Sequence, residues 1–158
     1  MKTINCLIFI LLSNFAFAQN SVKEKAEIEK IVTQFKKSII QKDSVTFYGL
    51  FHEDPVVWIG LVKNKSQQKR LELNPSNTKN YFKGSYQNFF SFIIKKEQKE
   101  EKFENIKIVN DDVIASVTFD YSFWIEGKMN NWGSESWHLI KANGNWKIVS
   151  IIYSIEDF

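Results

Sequence analysis

The sequence has a single cysteine, Cys6, a single arginine, Arg70, and only two histidines, His52 and His138. Each scarcity removes a class of function. Cys6 lies in an N-terminal segment that reads as an export signal, so the chain beyond it holds no thiol, disulfide or cysteine metal site. No His/Cys cluster at metal-ligand spacing, no nucleophile elbow and no phosphate-cradling glycine loop is visible, so neither a metal nor a cofactor is expected. A covalent mechanism has no basis in these residues. The positive charge, 21 Lys and Arg against 18 Asp and Glu, is almost wholly lysine. Nucleic-acid surfaces concentrate basic residues on one face and favour arginine for bidentate contacts, so no nucleic-acid partner is expected. The densest basic stretch, "KNKSQQKR" from Lys63 to Arg70, reads as a solvated loop or helix face, and the stretch from Lys95 to Lys102 mixes signs.

Long apolar runs are scarce too. The run from Ile4 to Leu12, interrupted by Asn5, is too short to span a bilayer, and no second run follows. Met1-Lys2 before it and Ala16-Phe17-Ala18 after it complete a signal-peptide pattern over residues 1–18. The expectation is an exported protein without a membrane span, periplasmic or secreted, with one domain over residues 19–158. At 44% hydrophobic and 15% aromatic, the chain can bury a core without covalent staples.

Periodicity supplies the elements. Ser21 and Glu24 form a capping-box pattern, and Ile28, Ile31, Val32, Phe35 and Ile39 recur on one helical face. Asp43 or Ser44 caps a second, short helix carrying Phe47, Leu50 and Phe51. Glu53-Asp54-Pro55 breaks it, and Val56 to Ile59 reads as a strand. Residues 63–80 are polar and read as a flap with one helical turn. A third helix is predicted over 78–95, where Phe82, Phe89, Phe90 and Ile93 keep the period. Strands follow at 103–109, 113–125, 132–141 and 146–155, the last two joined by Asn143-Gly144, a two-residue hairpin signal.

Helices followed by a meander of strands describe an α+β roll, with the helices on one face of a bent antiparallel sheet. The stretches "FHEDPVVWIG", "DDVIASVTFDYSF", "GKMNNWGSESWHLIK" and "NGNWKIVSIIYS", in this order and spacing, resemble the nuclear transport factor 2-like superfamily in its SnoaL-like and ketosteroid-isomerase-like branch. The resemblance covers nearly all of residues 22–155. It implies a cone-shaped roll of a curved antiparallel sheet packed on three N-terminal helices, with an apolar pocket, often in a homodimer. Isomerases, cyclases, dehydratases and binding modules share that fold, so membership does not select a function. Ketosteroid isomerases carry a basic aspartate on the first strand; here that strand reads Val56-Val57-Trp58-Ile59, and the acids of Glu53-Asp54-Pro55 precede it. SnoaL-type cyclases use an aspartate in the long strands, for which Asp120 is the counterpart.

Counting back from Asn143-Gly144 sets Trp137 opposite Ser150 and Glu135 opposite Ile152, and pairing Trp124 with Trp132 sets Tyr121 opposite Glu135. One face then carries Val117, Phe119, Tyr121, Phe123, Glu135, Trp137, Leu139, Ile148 and Ile152 and must turn towards the helices. Asp120 and His138 fall on the other face, and His52 ends the second helix in a structural role. Glu135 becomes a lone carboxylate among aromatic rings, with Tyr121 and Trp137 as its available donors. Three roles stay open for it: a structural carboxylate, a ligand anchor, or a general acid or base. Trp58, Tyr86, Tyr121, Glu135 and Trp137 are the candidate ligand-binding residues, and Glu135 with Tyr121 or Tyr86 the candidate catalytic ones. The expected ligand is a small apolar or amphipathic molecule bound without catalysis. Cofactor-free isomerisation, dehydration or cyclisation through Glu135 is the enzyme alternative. Trp124, Trp132, Val149, Ile151 and Tyr153 on the outer sheet face would cover a homodimer contact or dock another protein.

Overall fold

The computed structural model describes the backbone of residues 2–158 and the side chains of residues 22–158; the expected signal segment and Cys6 lie outside the described side chains. Helix α1 spans Lys2–Gln41 and therefore runs through Ser21 instead of starting there. Glu24 has a stronger use than a cap. Its carboxylate, 4% exposed, accepts from Lys141 Nζ at 2.6 and 2.7 Å and from Trp146 Nε1 at 2.8 Å, which ties α1 to the end of the sheet. The periodic stripe is buried as expected: Ile28, Ile31, Val32, Phe35 and Ile39 all enter the core.

Helix α2 (Ser44–Gly49) starts at Asp43, whose carboxylate accepts from Thr46 N at 3.0 Å and Thr46 Oγ1 at 2.6 Å. Strand β1 is Val57–Val62, α3 Asn64–Leu73, β2 Tyr81–Lys83 and α4 Tyr86–Ile93. The polar stretch after residue 63 is thus a full helix, and the third helix expected over 78–95 is shortened because Tyr81, Phe82 and Lys83 pair with β1 first. Phe82 lies over Gly60, where a side chain would occupy the same space. Ser85 caps α4, accepting from Asn88 N at 3.1 Å.

The remaining strands are β3 (Lys99–Asn110), β4 (Ile114–Ile125), β5 (Lys128–Ala142) and β6 (Asn145–Asp157). They form one open six-stranded sheet in the order β2-β1-β6-β5-β4-β3. The fold is α+β, with the sheet curved against α1, α2 and α4. It is mixed and not purely antiparallel, because β1 returns to pair in parallel with β6, Trp58 beside Ile151. Asn143 and Gly144 have φ of 50° and 78°, the pair of left-handed residues that a type I′ turn demands. At the centre of the core, Phe35 packs its ring against Trp137 at 4.8 Å and Phe47 at 5.2 Å between centroids.

Two registers differ from expectation. Ile125 pairs with Lys128 across a tight Glu126-Gly127 turn and a bulge at Asn130 adds one residue to β5, so Tyr121 faces Gly133, Phe119 faces Glu135, and Val117 faces Trp137. More consequential is a bulge at Val149: Leu139 pairs with Ile148 but His138 pairs with Ser150. One extra residue inverts the faces of everything after it. Ile151, Tyr153 and Ile155 therefore point inward, and Ile152 points out. The assignment of Ile151 and Tyr153 to the outer face is overturned, as is that of Ile152 to the inner one.

The single arginine anchors α3. Arg70 donates through Nε and Nη2 to the two carboxylate oxygens of Asp157, both at 2.7 Å, and Ser66 Oγ accepts from Asp157 N at 2.8 Å. A lysine cannot reproduce the planar fork. Arg70→Lys should lower stability by about 1 kcal/mol, the range of a half-exposed pair, read as a shifted urea midpoint at unchanged slope.

Candidate functional site

Helix α1, helix α4 and the β1–β2 edge do not fully close over the sheet, and they leave a cavity of about 220 Å³ above its Glu135 region. Trp58, Phe82, Phe89, Tyr121, Phe123 and Tyr153 line it with aromatic rings. Phe35 of α1, Ile155 of β6, and Asn130 and Asn131 of β5 also border it. The wall is aromatic because three strands present inward rings at alternate positions, while Phe82 is held inward over Gly60.

Two carboxyl groups enter this apolar space. Glu135 is 6% exposed and accepts a hydrogen bond from Trp137 Nε1 at 2.5 Å, two residues along the same face of β5. Burial pushes its pKa up to about 8, and the Trp137 bond pulls the other way. The second group is Glu101 on β3, 7% exposed, whose carboxyl accepts no hydrogen bond from the described residues. Burial raises its pKa well above the usual carboxylate range, and the neighbouring charge of Glu135 raises it further. Glu135 is therefore not a lone carboxylate.

The sequence reading missed Glu101 inside a stretch of mixed charge. Lys99 to Lys102 are all charged, so no alternation of apolar with polar residues marks the strand that starts four residues before Phe103. Among the described residues no cation is paired with either acid. Lys99, on the same face and 1% exposed, spends its ammonium on the Glu97 carbonyl and carboxylate at 3.2 and 3.1 Å and lies 4.8 Å over the Phe92 ring.

Of the five candidate residues, Trp58, Tyr121 and Glu135 line the cavity. Trp137 is fully buried behind Glu135 and holds it without facing the space. Tyr86 is elsewhere, stacked on Phe51 at 4.2 Å between centroids, because α4 starts only at that residue and turns it towards α2. Tyr121 does not donate to Glu135. Its hydroxyl donates to the Ser154 carbonyl at 3.0 Å, where Gly133 leaves room across the sheet, and burial beside two acids raises its pKa strongly. The residue that does join the site unannounced is Tyr153, brought inward by the Val149 bulge. Its hydroxyl accepts from Trp58 Nε1 at 3.3 Å and keeps its own proton to give, and burial pushes its pKa up to about 12.

The excluded acids and bases lie where they were expected. Asp120 is on the outer face, accepting from Asn105 Nδ2 at 2.8 Å and Ser134 Oγ at 3.0 Å. His138 is on the same face, opposite Ser150. His52 accepts from Asp54 N at 3.1 Å, a local turn contact. Among the described residues no group of three or more His, Cys, Asp or Glu could hold a metal, and no helix is long and apolar enough to cross a membrane.

The fold is shared with solved structures described as nuclear transport factor 2-like proteins. A nuclear transport factor 2-like protein of unknown function from Shewanella baltica superimposes with a TM-score of 0.59 at 20% identity, covering 87% of this chain and 97% of that one. A putative scytalone dehydratase from Novosphingobium aromaticivorans gives 0.66 at 15% identity, covering 89% and 91%. A nuclear transport factor 2-like protein with a cystatin-like fold from the same organism gives 0.65 at 11%, covering 92% and 90%. No sequence-family model matches the chain, and no curated protein sequence does. At these identities the likeness defines the fold alone, and that fold serves both ligand binding and isomerase or dehydratase chemistry.

Proposed function

We propose that this protein binds a small, partly apolar molecule in the aromatic cavity, without transforming it, and that Glu135 fixes the ligand's polar end. The observation that carries this reading is the cavity itself: an aromatic space whose polar atoms converge on a carboxyl group held from behind by Trp137. Glu135→Gln keeps an acceptor for the Trp137 N–H and should leave the fold intact while weakening ligand binding at least tenfold. Native mass spectrometry of the exported chain, beside a denaturing spectrum, supplies the ligand for that titration. A mass that is lost on denaturation from the parent and from Glu135→Gln alike would refute the anchor role.

A second reading has its own support. Two buried carboxyl groups with raised proton affinity in one cavity are the kind of pair that performs acid–base chemistry near neutral pH. Cofactor-free isomerisation or dehydration would use one as base and the other, or the Tyr153 hydroxyl, as proton donor. The dehydratase named in the comparison shares this cone. Tyr121, bonded to Ser154, and Tyr86, outside the cavity, are not the oxyanion donors of that scheme.

We also propose export, with cleavage near Ala18 checked by the N-terminus of the mature chain. A homodimer through the outer sheet face is the assembly this reading includes. Val57, Leu61, Trp132 and Ile152 are exposed there, and sedimentation velocity reads the subunit count.

A further inference from the structure

We infer that the ligand of this cavity is a small organic cation, an amine carrying an apolar body, seated with its charge between Glu101 and Glu135 and its body against the rings. The inference rests on reading the cavity as a ligand site and adds the charge of what it takes.

Among the described residues, every lining residue that can carry a full charge near neutral pH is acidic, and no lysine, arginine or histidine lines the space. The titratable groups facing Glu101 and Glu135 are Tyr121 from β4 and Tyr153 from β6, and the lining residues of α1, α4, β1 and β2 contribute none. The basic neighbours are engaged elsewhere: Lys99 on Glu97, and Lys36 of α1 over the Phe103 ring at 5.7 Å. Beside the one proton that the Tyr153 hydroxyl has to give, the cavity presents carboxyl oxygens with few donors. Among the described residues Glu101 has no donor, and Glu135 has the indole of Trp137 on Oε1. A buried carboxyl pair without a counter-charge is costly when ionised and stays protonated; a cation makes ionisation favourable. The walls suit the same guest, since Trp58, Phe82, Tyr121 and Tyr153 present π-systems around the acids, the environment in which ammonium groups are stabilised away from water.

A proton linkage follows. In the free protein, burial and mutual repulsion hold protons on the pair, and a cation must displace at least one of them. Affinity for a cation should then rise with pH up to about the value of Glu135, near 8, by about tenfold for each pH unit and proton released.

The test is isothermal titration of the full chain, purified without its bound ligand by refolding, with three probes of one shape: benzylamine, benzyl alcohol and benzoate. Benzylamine is protonated throughout the range from pH 6 to pH 8. It should bind tightest, at least tenfold more tightly at pH 8 than at pH 6, with release of about one proton seen as a dependence of the heat on buffer ionisation. Glu101→Gln, whose side chain fits the same space, should cost tenfold or more for benzylamine and little for benzyl alcohol. Benzyl alcohol or benzoate binding more tightly than benzylamine, with affinity falling as pH rises, would overturn the cation and leave the ligand site standing. Binding of none of the three would overturn both.

Discussion

Raising the pH from about 5 to about 9 should destabilise this protein by several kcal/mol, the reverse of what paired surface carboxylates do. Glu135 ionises near its ordinary value of 4.5 when the chain is unfolded and near 8 when it is folded. Between those values the folded state binds more protons than the unfolded one, so stability falls as pH rises. The contribution is complete below the unfolded value and is lost as pH climbs through the folded one. At about 1.4 kcal/mol per pKa unit, Glu135 alone accounts for on the order of 5 kcal/mol, a large fraction of the total stability of a small domain. Glu101 acts in the same direction. The carboxylates with lowered pKa values, Glu24 beside Lys141, Asp43 at its cap, Glu97 beside Lys99, Asp111 at its turn, and Asp120 with Asn105 and Ser134, lose their contribution only as pH falls below the usual carboxylate range. Stability should therefore peak near pH 5 in denaturant titrations without ligand. Glu135→Gln removes one ionisation and keeps the Trp137 bond, so the variant should show a flatter profile and exceed the parent in stability at pH 9. A parent profile that is level or rising from pH 5 to pH 9 would show that the acids reach solvent or a partner.

Gly133→Ala should lower the unfolding free energy by about 3 kcal/mol, seen as a fall in urea midpoint at constant slope. Gly133 faces Tyr121 across β4–β5, and a Cβ there would overlap the carbonyl oxygen of Ser154 on β6. That oxygen is fixed backbone and the acceptor of the Tyr121 hydroxyl at 3.0 Å, while Ser134 N is bonded to Ser154 Oγ at 3.1 Å. To admit a methyl group, β5 and β6 must separate where both line the cavity, so the variant loses packing and the Tyr121 bond together. Ligand affinity should fall with it. Gly144→Ala supplies the comparison: it meets no neighbour, and only its φ of 78° is strained, at a cost of about 1 kcal/mol. Equal effects at the two positions would mean that the β5–β6 gap opens easily.

The sequence by itself determined the elements whose signals are local. The stripe from Ile28 to Ile39, the Asp43 cap, the Asn143-Gly144 turn and the alternation along β4 and β5 each record a backbone period or a turn conformation that neighbouring residues specify. Alternation on β5 also placed Glu135 and Trp137 on one face, which is why the carboxyl and its indole donor were legible together. Tertiary structure decided the rest. Residues 63–83 became a helix and an edge strand because Arg70 and Ser66 found Asp157, about ninety residues on, and because Phe82 found Gly60. The parallel pairing of β1 with β6 has no local mark at all. Glu101 is buried only because β3 extends far enough to pair it with Phe123. Tyr153 faces the cavity only because β6 carries one residue more than β5 at Val149. Strand side chains alternate with a period of two, so a single unpaired residue, invisible in composition, reverses every inward and outward assignment beyond it. The second acid and the second tyrosine of the site were set by strand pairing, and local sequence does not encode that pairing.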